Sequence, residues 1–211
     1  MTPALLAELR AAIADRRHVV LATRLADGEQ RLLDADGDRD NRLDLARNGE
    51  WFLHDFPPTP RLVVVGAVHL AQTLAQHARL LGLVVSVIDP RAAFATTERF
   101  PGCELIRSWP GAAFETLGPD RHTAVVVLSH DTKFDDPALA AALRSPVFYV
   151  GALGSRRTQA ARRERLAAAG FTAAELERIH GPVGLAIGAV GAGEIAIAIL
   201  AEIIAVRRGA A

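Results

Sequence analysis

Five short segments carry residue types suited to holding an anionic small molecule, and four of them directly follow an apolar run. Gly66-Ala67-Val68-His69 follows Val63-Val64-Val65 and has the frame of a glycine-rich dinucleotide turn. In such a turn the glycines let the backbone approach a pyrophosphate, and the helix that begins there offers free N–H groups and a positive dipole end. Val68 stands where the second glycine of that frame belongs. Asp89-Pro90-Arg91 closes the next run, and Asp89 lies 23 positions past Gly66, near where a carboxylate grips a ribose hydroxyl. Ser129-His130-Asp131-Thr132-Lys133 gathers a hydroxyl, an imidazole, a carboxylate and an ammonium, which the capping of a buried strand does not require. Gly151-Ala152-Leu153-Gly154-Ser155-Arg156-Arg157 permits a tight turn, an N-cap at Ser155, and two cations at a helix end that is already positive. An anion would relieve that conflict. His180 opens the fifth segment, a glycine-rich stretch over 181–193 shaped either by close backbone approach or as a hinge.

Each segment also has a plainer reading. A glycine at a strand-to-helix turn can serve packing alone, Asp89 can be a solvated turn residue, and Asp131 or Ser155 can simply cap a helix. Arginines at a helix start can point into solvent. His69, His130 and His180 could share one sheet edge, although no H-x-x-x-H or C-x-x-C pair supports a metal site.

These segments need a scaffold that brings strand ends together. After the Pro-rich stretch Pro57-Pro58-Thr59-Pro60, short β-branched runs alternate with helical patterns, the rhythm of βαβ units and a parallel sheet. Strands are expected over 62–65, 84–88, 104–106, 124–128 and 147–150, and helices over 69–81, 136–143, 156–169, 173–179 and 193–207. The fold class is α/β, a Rossmann-like doubly wound parallel sheet over 61–209, in which ligands sit beyond the carboxyl ends of the strands. Residues 1–57 form a small N-terminal α/β appendage: a helix over 3–16, a hairpin of 18–24 and 29–34 turning at Asp27-Gly28, a short helix over 43–47, and an extended segment over 51–56. So short a segment is expected to lack a core of its own. Asp36, Asp38, Asp40, Asn41, Leu43 and Asp44 resemble the opening of a calcium loop, with Leu43 at its hydrophobic position, but Arg47 occupies the twelfth, so they read as a solvated acidic turn.

Bulk properties narrow the function further. At 211 residues with half the chain apolar and a formal charge of +0, no general attraction to nucleic acid or anionic lipid is expected. The single cysteine, Cys103, excludes an internal disulfide, and the charged amphipathic N-terminus has no signal-peptide core, so a cytoplasmic location is expected. The apolar run over 195–206 is interrupted by Glu202 and too short for a span, which suits a buried helix or the interface of a homodimer.

Taken in order, VVVGAVHLAQTLA, VSVIDPRAAFATTERFP, VVVLSHDTKFDDPAL, FYVGALGSRRTQAARRERL, RIHGPVGLAIGA and EIAIAILAEIIAVR resemble the XdhC/CoxI family of accessory proteins for molybdenum hydroxylases. The resemblance spans about 51–207. It implies a chaperone that catalyses little, binds molybdenum cofactor (molybdopterin), helps it receive its terminal sulfur and delivers it to an apo-hydroxylase of the xanthine dehydrogenase or carbon monoxide dehydrogenase type. A cysteine desulfurase is the implied sulfur-side partner. On this view Arg156 and Arg157 meet the phosphate, and His130 or Asp131 fixes the pterin edge. The chain reads as a short form: nothing before Pro60 matches the family's Gly-Cys-Glu-like element, and Ala186 and Val190-Gly191-Ala192 replace an aspartate and an Arg-Thr-Pro. Two other readings stay open, an NAD(P)-dependent oxidoreductase and a scaffold that only contacts a hydroxylase.

Overall fold

A computed structural model describes residues 1–35, 45 and 49–210 and divides the chain into two units, Met1–Thr59 and Pro60–Ala211. Apart from Leu45, the expected helix over 43–47 and the acidic turn lie outside the described residues.

In the first unit, helix α1 (Pro3–Ala14) starts where Thr2 accepts a hydrogen bond from the Leu5 N–H and ends ahead of Arg16, which takes a left-handed conformation at φ 55°. It therefore stops two residues short of the span expected from pattern alone. Strands β1 (Val19–Arg24), β2 (Gln30–Asp34) and β3 (Trp51–Phe56) make an antiparallel sheet in the order β2-β1-β3, so the segment expected to be merely extended is a paired strand. Contrary to expectation, this unit has buried clusters of its own. Val20, Ala22, Leu33, Ala35 and Leu45 form one, and Leu9 and Ala12 of α1 against Val19 form another. The central strand β1 contributes to both because alternate side chains leave opposite faces of the sheet.

The second unit is built on β4 (Arg61–Val65), β5 (Val84–Ile88), β6 (Glu104–Ile106), β7 (Thr123–Val127), β8 (Tyr149–Ala152) and β9 (Ile179–His180). All neighbours pair in parallel, in the order β6-β5-β4-β7-β8-β9. Helices cover both faces. Leu62 and Val64 of β4 pack with α2 (His69–Leu80) and α7 (Gly191–Arg208) on one side. Val63 and Val65 pack on the other side, in a cluster shared with α3 (Pro110–Leu117), α4 (Thr132–Arg144), α5 (Arg156–Ala168) and α6 (Ala173–Glu177). Burial on both faces is why the central strands read as unbroken Val and Ile runs and not as an alternation. Each such buried Val contributes about 1.5–3 kcal/mol relative to exposure.

Four details differ from the sequence expectation. Helix α3 and strand β9 lie outside the expected elements, and Ile179, expected as the last residue of a helix, opens strand β9. Helix α4 begins at Thr132, because Asp131 caps it by accepting the Lys133 N–H at 3.0 Å, so Pro137 sits inside the helix and not at its start. Strand β8 lies further along than expected, which puts Gly151 and Ala152 within the sheet. Among the described residues no helix is long and apolar enough to cross a membrane.

Candidate functional site

Strand order reverses between β4 and β7, so the loops leaving these two strands diverge to opposite faces and leave a crevice at their carboxyl ends. Gly66 and Ser129 open those two loops. Gly66 has φ 101°, and a Cβ there would stand 3.1 Å from both Cβ and N of Ser129, so the seam admits only glycine at low cost. Beside the seam lies a cavity of about 750 Å³ lined by Val68, Pro90, Arg91, Trp109, Phe134 and the 129–132 segment. That volume is within the roughly 300–1,000 Å³ common for small-molecule sites.

The sequence-predicted residues fall into groups. Val68, Arg91, Ser129, His130 and Asp131 line this cavity. Gly66, Ala67 and Asp89 lie behind it. Asp89 does not present a free carboxylate for a ribose: it is 0% exposed and both its oxygens are occupied. Oδ2 accepts from the Ala67 N–H at 2.8 Å and from Arg91 Nη2 at 2.7 Å; Oδ1 accepts from the Arg91 N–H and from Nε, each at 2.9 Å. Burial pushes the Asp89 carboxyl up, but these donors, Arg91 first among them, outweigh it and hold the group below its ordinary value. Asp89 therefore anchors Arg91, whose side chain is 52% exposed; its guanidinium lies 4.3 Å over the Phe94 ring and keeps Nη1 without a hydrogen-bond partner among the described residues.

Lys133, Arg156 and Arg157 are exposed and do not line the cavity, so its lining is not the concentration of positive charge that the sequence suggested. His69 opens α2, where Val68 gives no side-chain cap. Ser155 caps α5 by accepting the Thr158 N–H at 3.2 Å, and Gly154 turns the chain just before it. Gly151 lies inside β8, where a Cβ would collide with Val183 and with the Tyr149 hydroxyl. His180 is held elsewhere: it stacks on Tyr149 with ring centroids 4.6 Å apart and places Nδ1 3.3 Å from Glu202. Glu202 accepts from the Tyr149 hydroxyl at 2.5 Å and from the Gly184 N–H at 2.9 Å. Buried beside that carboxylate, the Tyr149 hydroxyl is pushed far above its ordinary range. The three histidines are thus not gathered, and among the described residues no group of three or more His, Cys, Asp or Glu could hold a metal.

Sequence reasoning missed the aromatic wall. Trp109, 58% exposed, precedes Pro110 at the start of α3 and meets Phe134 edge-on at 5.9 Å. An aromatic residue directly ahead of a helix-starting proline was the available signal. It also missed Asp135, Gln159 and Arg162, which are buried under the loops. Asp135 accepts from Ser129 and from Arg162 at 3.1 Å. Burial outweighs both donors and, with the neighbouring Asp136 charge, raises the Asp135 carboxyl above its ordinary value. Cys103 is apart from all of this, in a separate cavity of about 360 Å³ with Arg79, Phe100 and Pro101; burial raises its thiol.

Chemically, the cavity offers the exposed indole of Trp109, set edge-on to Phe134, hydrogen-bonding groups at His130 and Asp131, and one anchored cation. This combination suits a planar, nitrogen-rich ring that carries an anion.

Comparison with known proteins agrees with the fold. The family model for the XdhC Rossmann domain matches residues 62–203. The chain is 36% identical over 155 residues to the uncharacterized protein YqeB of Escherichia coli K12, covering 72% of this chain and 28% of YqeB. It is 34% identical over 158 residues to a probable xanthine dehydrogenase subunit of Bacillus subtilis 168, covering 74% and 46% of the two chains. Against the molybdenum cofactor insertion chaperone PaoD of Escherichia coli K12 the identity is 32% over 152 residues, covering 72% and 42%. The chain thus spans less than half the length of each of these relatives. A crystal structure described as a xanthine dehydrogenase from Bacillus halodurans superposes with a TM-score of 0.75 at 22% identity, over 98% of this chain and 64% of that one, a likeness of fold. With two thirds of its length matched by that family model, the chain belongs to the XdhC family.

Proposed function

We propose that this chain is an accessory protein in the maturation of a molybdenum hydroxylase, holding molybdenum cofactor in the cleft between the β4 and β7 loops and passing it to an apo-hydroxylase. The observation that carries this reading is the lining of that cleft: the exposed Trp109 indole backed edge-on by Phe134, His130 and Asp131 at its polar side, and Arg91 held by a buried carboxylate. These residues fit a pterin with a phosphate arm. The ring would stack on Trp109, its amino and amide edge would donate to Asp131, and the phosphate would meet the free edge of Arg91. The bound cofactor would bring a metal dithiolene and its redox chemistry; the chain binds, orients and shields it from water. Two relatives carry names in keeping with such work, a cofactor insertion chaperone and a xanthine dehydrogenase subunit.

Among the described residues no thiol lines the cleft, so a terminal sulfur would come from a partner such as a cysteine desulfurase. The whole exchange belongs in the cytoplasm, where Cys103 stays reduced. A nicotinamide dinucleotide is the weaker guest, because the carboxylate that would grip its ribose is occupied by Ala67 and Arg91, and Val68 replaces the glycine that admits a pyrophosphate.

The test is purification from molybdenum-sufficient cells, followed by denaturation and assay of pterin, molybdenum and phosphate per chain. Pterin is expected to leave with the wild type and to be depleted in Trp109→Ala. Release of nicotinamide in place of pterin would overturn the proposal.

A further inference from the structure

Beneath the cleft, a line of buried polar groups joins one of its loops to the next. Ser129, on the cleft side, donates its hydroxyl to one oxygen of Asp135. The other oxygen accepts from Arg162 Nη2 at 3.1 Å. The same nitrogen reaches the Leu153 carbonyl at 3.2 Å, and Nη1 donates to Gln159 at 2.6 Å. Gln159 in turn donates to the Ala152 carbonyl at 2.8 Å. Asp135, Gln159 and Arg162 are 3%, 6% and 2% exposed, so a ligand in the cleft meets none of them.

Stability alone is a poor reason for such an arrangement. A buried arginine–carboxylate pair commonly contributes no more than well-packed apolar residues of the same volume, because desolvation offsets the attraction. What a guanidinium adds is geometry: its planar fork holds several acceptors in fixed relation, which an ammonium on a flexible stem does not. Here the acceptors come from α4, from α5 and from the loop after β8. The packing is correspondingly tight, since a Cβ on Gly181 would stand 2.4 Å from Gln159 Cδ. On its other side, Ser129 touches the Gly66 turn through the seam described above.

We propose that Arg162 is a positioning residue of the cleft, fixing the loop after β7 and the loop after β8 to one another so that affinity depends on a guanidinium the ligand never meets. This rests on the reading of the cleft as the cofactor site. Two variants cut the line at different points. Arg162→Lys keeps the charge beside Asp135 but loses the fork, and Ser129→Ala removes the cleft-side end, with the 3.4 Å contact that the hydroxyl accepts from the Asp131 N–H, while leaving the ion pair.

The probe is molybdopterin freed anaerobically from a purified molybdenum enzyme, titrated into the full chain and followed by tryptophan fluorescence. Arg162→Lys is expected to weaken binding by about tenfold, the scale of one lost charge-assisted hydrogen bond. The double variant should bind no more weakly than the weaker single, because both changes interrupt one line. Losses that multiply, or an unchanged affinity in Arg162→Lys, would overturn the proposal. Hydrogen exchange keeps this distinct from the cofactor reading. A wild type that ignores the probe sinks that reading, yet Arg162→Lys must still speed exchange over 129–135 as well as 152–155, and Ser129→Ala must speed it over 152–155. Acceleration confined to α5 overturns the positioning role.

Discussion

Two buried carboxylates border the cleft, each on an arginine, and the protein holds them in opposite ways. Asp89, at the end of β5, accepts four hydrogen bonds, three of them from Arg91, whose own side chain is half in solvent. Asp135, in the first turn of α4, accepts from Ser129 and from one nitrogen of an arginine that is itself buried, with Asp136 next in the chain. Donors outweigh burial at Asp89 and lower its carboxyl; burial outweighs donors at Asp135 and raises it. Similar pairs thus do different work. The first presents a cation to the cleft, and the second acts as a strut between loops.

The largest break in that comparison is Arg162→Met, which leaves Asp135 buried beside no cation and is expected to cost about 3–5 kcal/mol in denaturant unfolding. Arg91→Met is expected to cost less, about 1.5–3 kcal/mol, because the backbone N–H groups of Ala67 and of residue 91 still satisfy Asp89. The reverse order would mean that Asp89, and not Asp135, is the carboxylate left worse compensated when its arginine is removed.

A second contrast lies in pH. The Asp89 carboxyl titrates below its unfolded value of 3.8, so its stabilisation is present above that pH and lost as pH falls through the lowered value. The Asp135 carboxyl titrates above 3.8, so stability is full below that pH and lost as pH rises through the raised value. Asp89→Asn should therefore destabilise more at about pH 6 than at about pH 3, while the cost of Asp135→Asn shrinks over the same rise. Melting temperatures of each variant against wild type give the two slopes, and slopes of equal sign would erase the distinction. The smallest effect is expected at Trp109→Ala, under about 1 kcal/mol in stability, because the indole is largely in solvent. Depleted pterin in that variant then reports on the cleft and not on folding.

Much of the frame was legible because central parallel strands are apolar on both faces, as the runs 62–65 and 124–128 are throughout and 84–88 is at Val85, Val87 and Ile88. Val68, Arg91, Ser129, His130 and Asp131 were legible for a related reason, since each follows such a run. Trp109 was not, because α3 is short and its pattern gives no periodic signal. Asp135, Gln159 and Arg162 were passed over because charged and amide side chains default to solvent. Their spacing held the clue. Asp135 leads the apolar face that continues through Ala138, Leu139 and Ala142, and Gln159 and Arg162 share a face of α5 with Leu166, its one large buried aliphatic residue. The tie between His180 and Glu202 depends on where α7 packs, which no local pattern reveals. The core of the first unit was underestimated for the same reason, because β1 feeds two faces at once.

The most direct test of where the cofactor sits is an anomalous difference map, collected at the molybdenum absorption edge, from crystals of the chain loaded with molybdenum cofactor. A peak in the cleft bounded by Val68, Trp109 and His130 is the predicted result. A loaded crystal whose molybdenum lies anywhere else on the chain would contradict it.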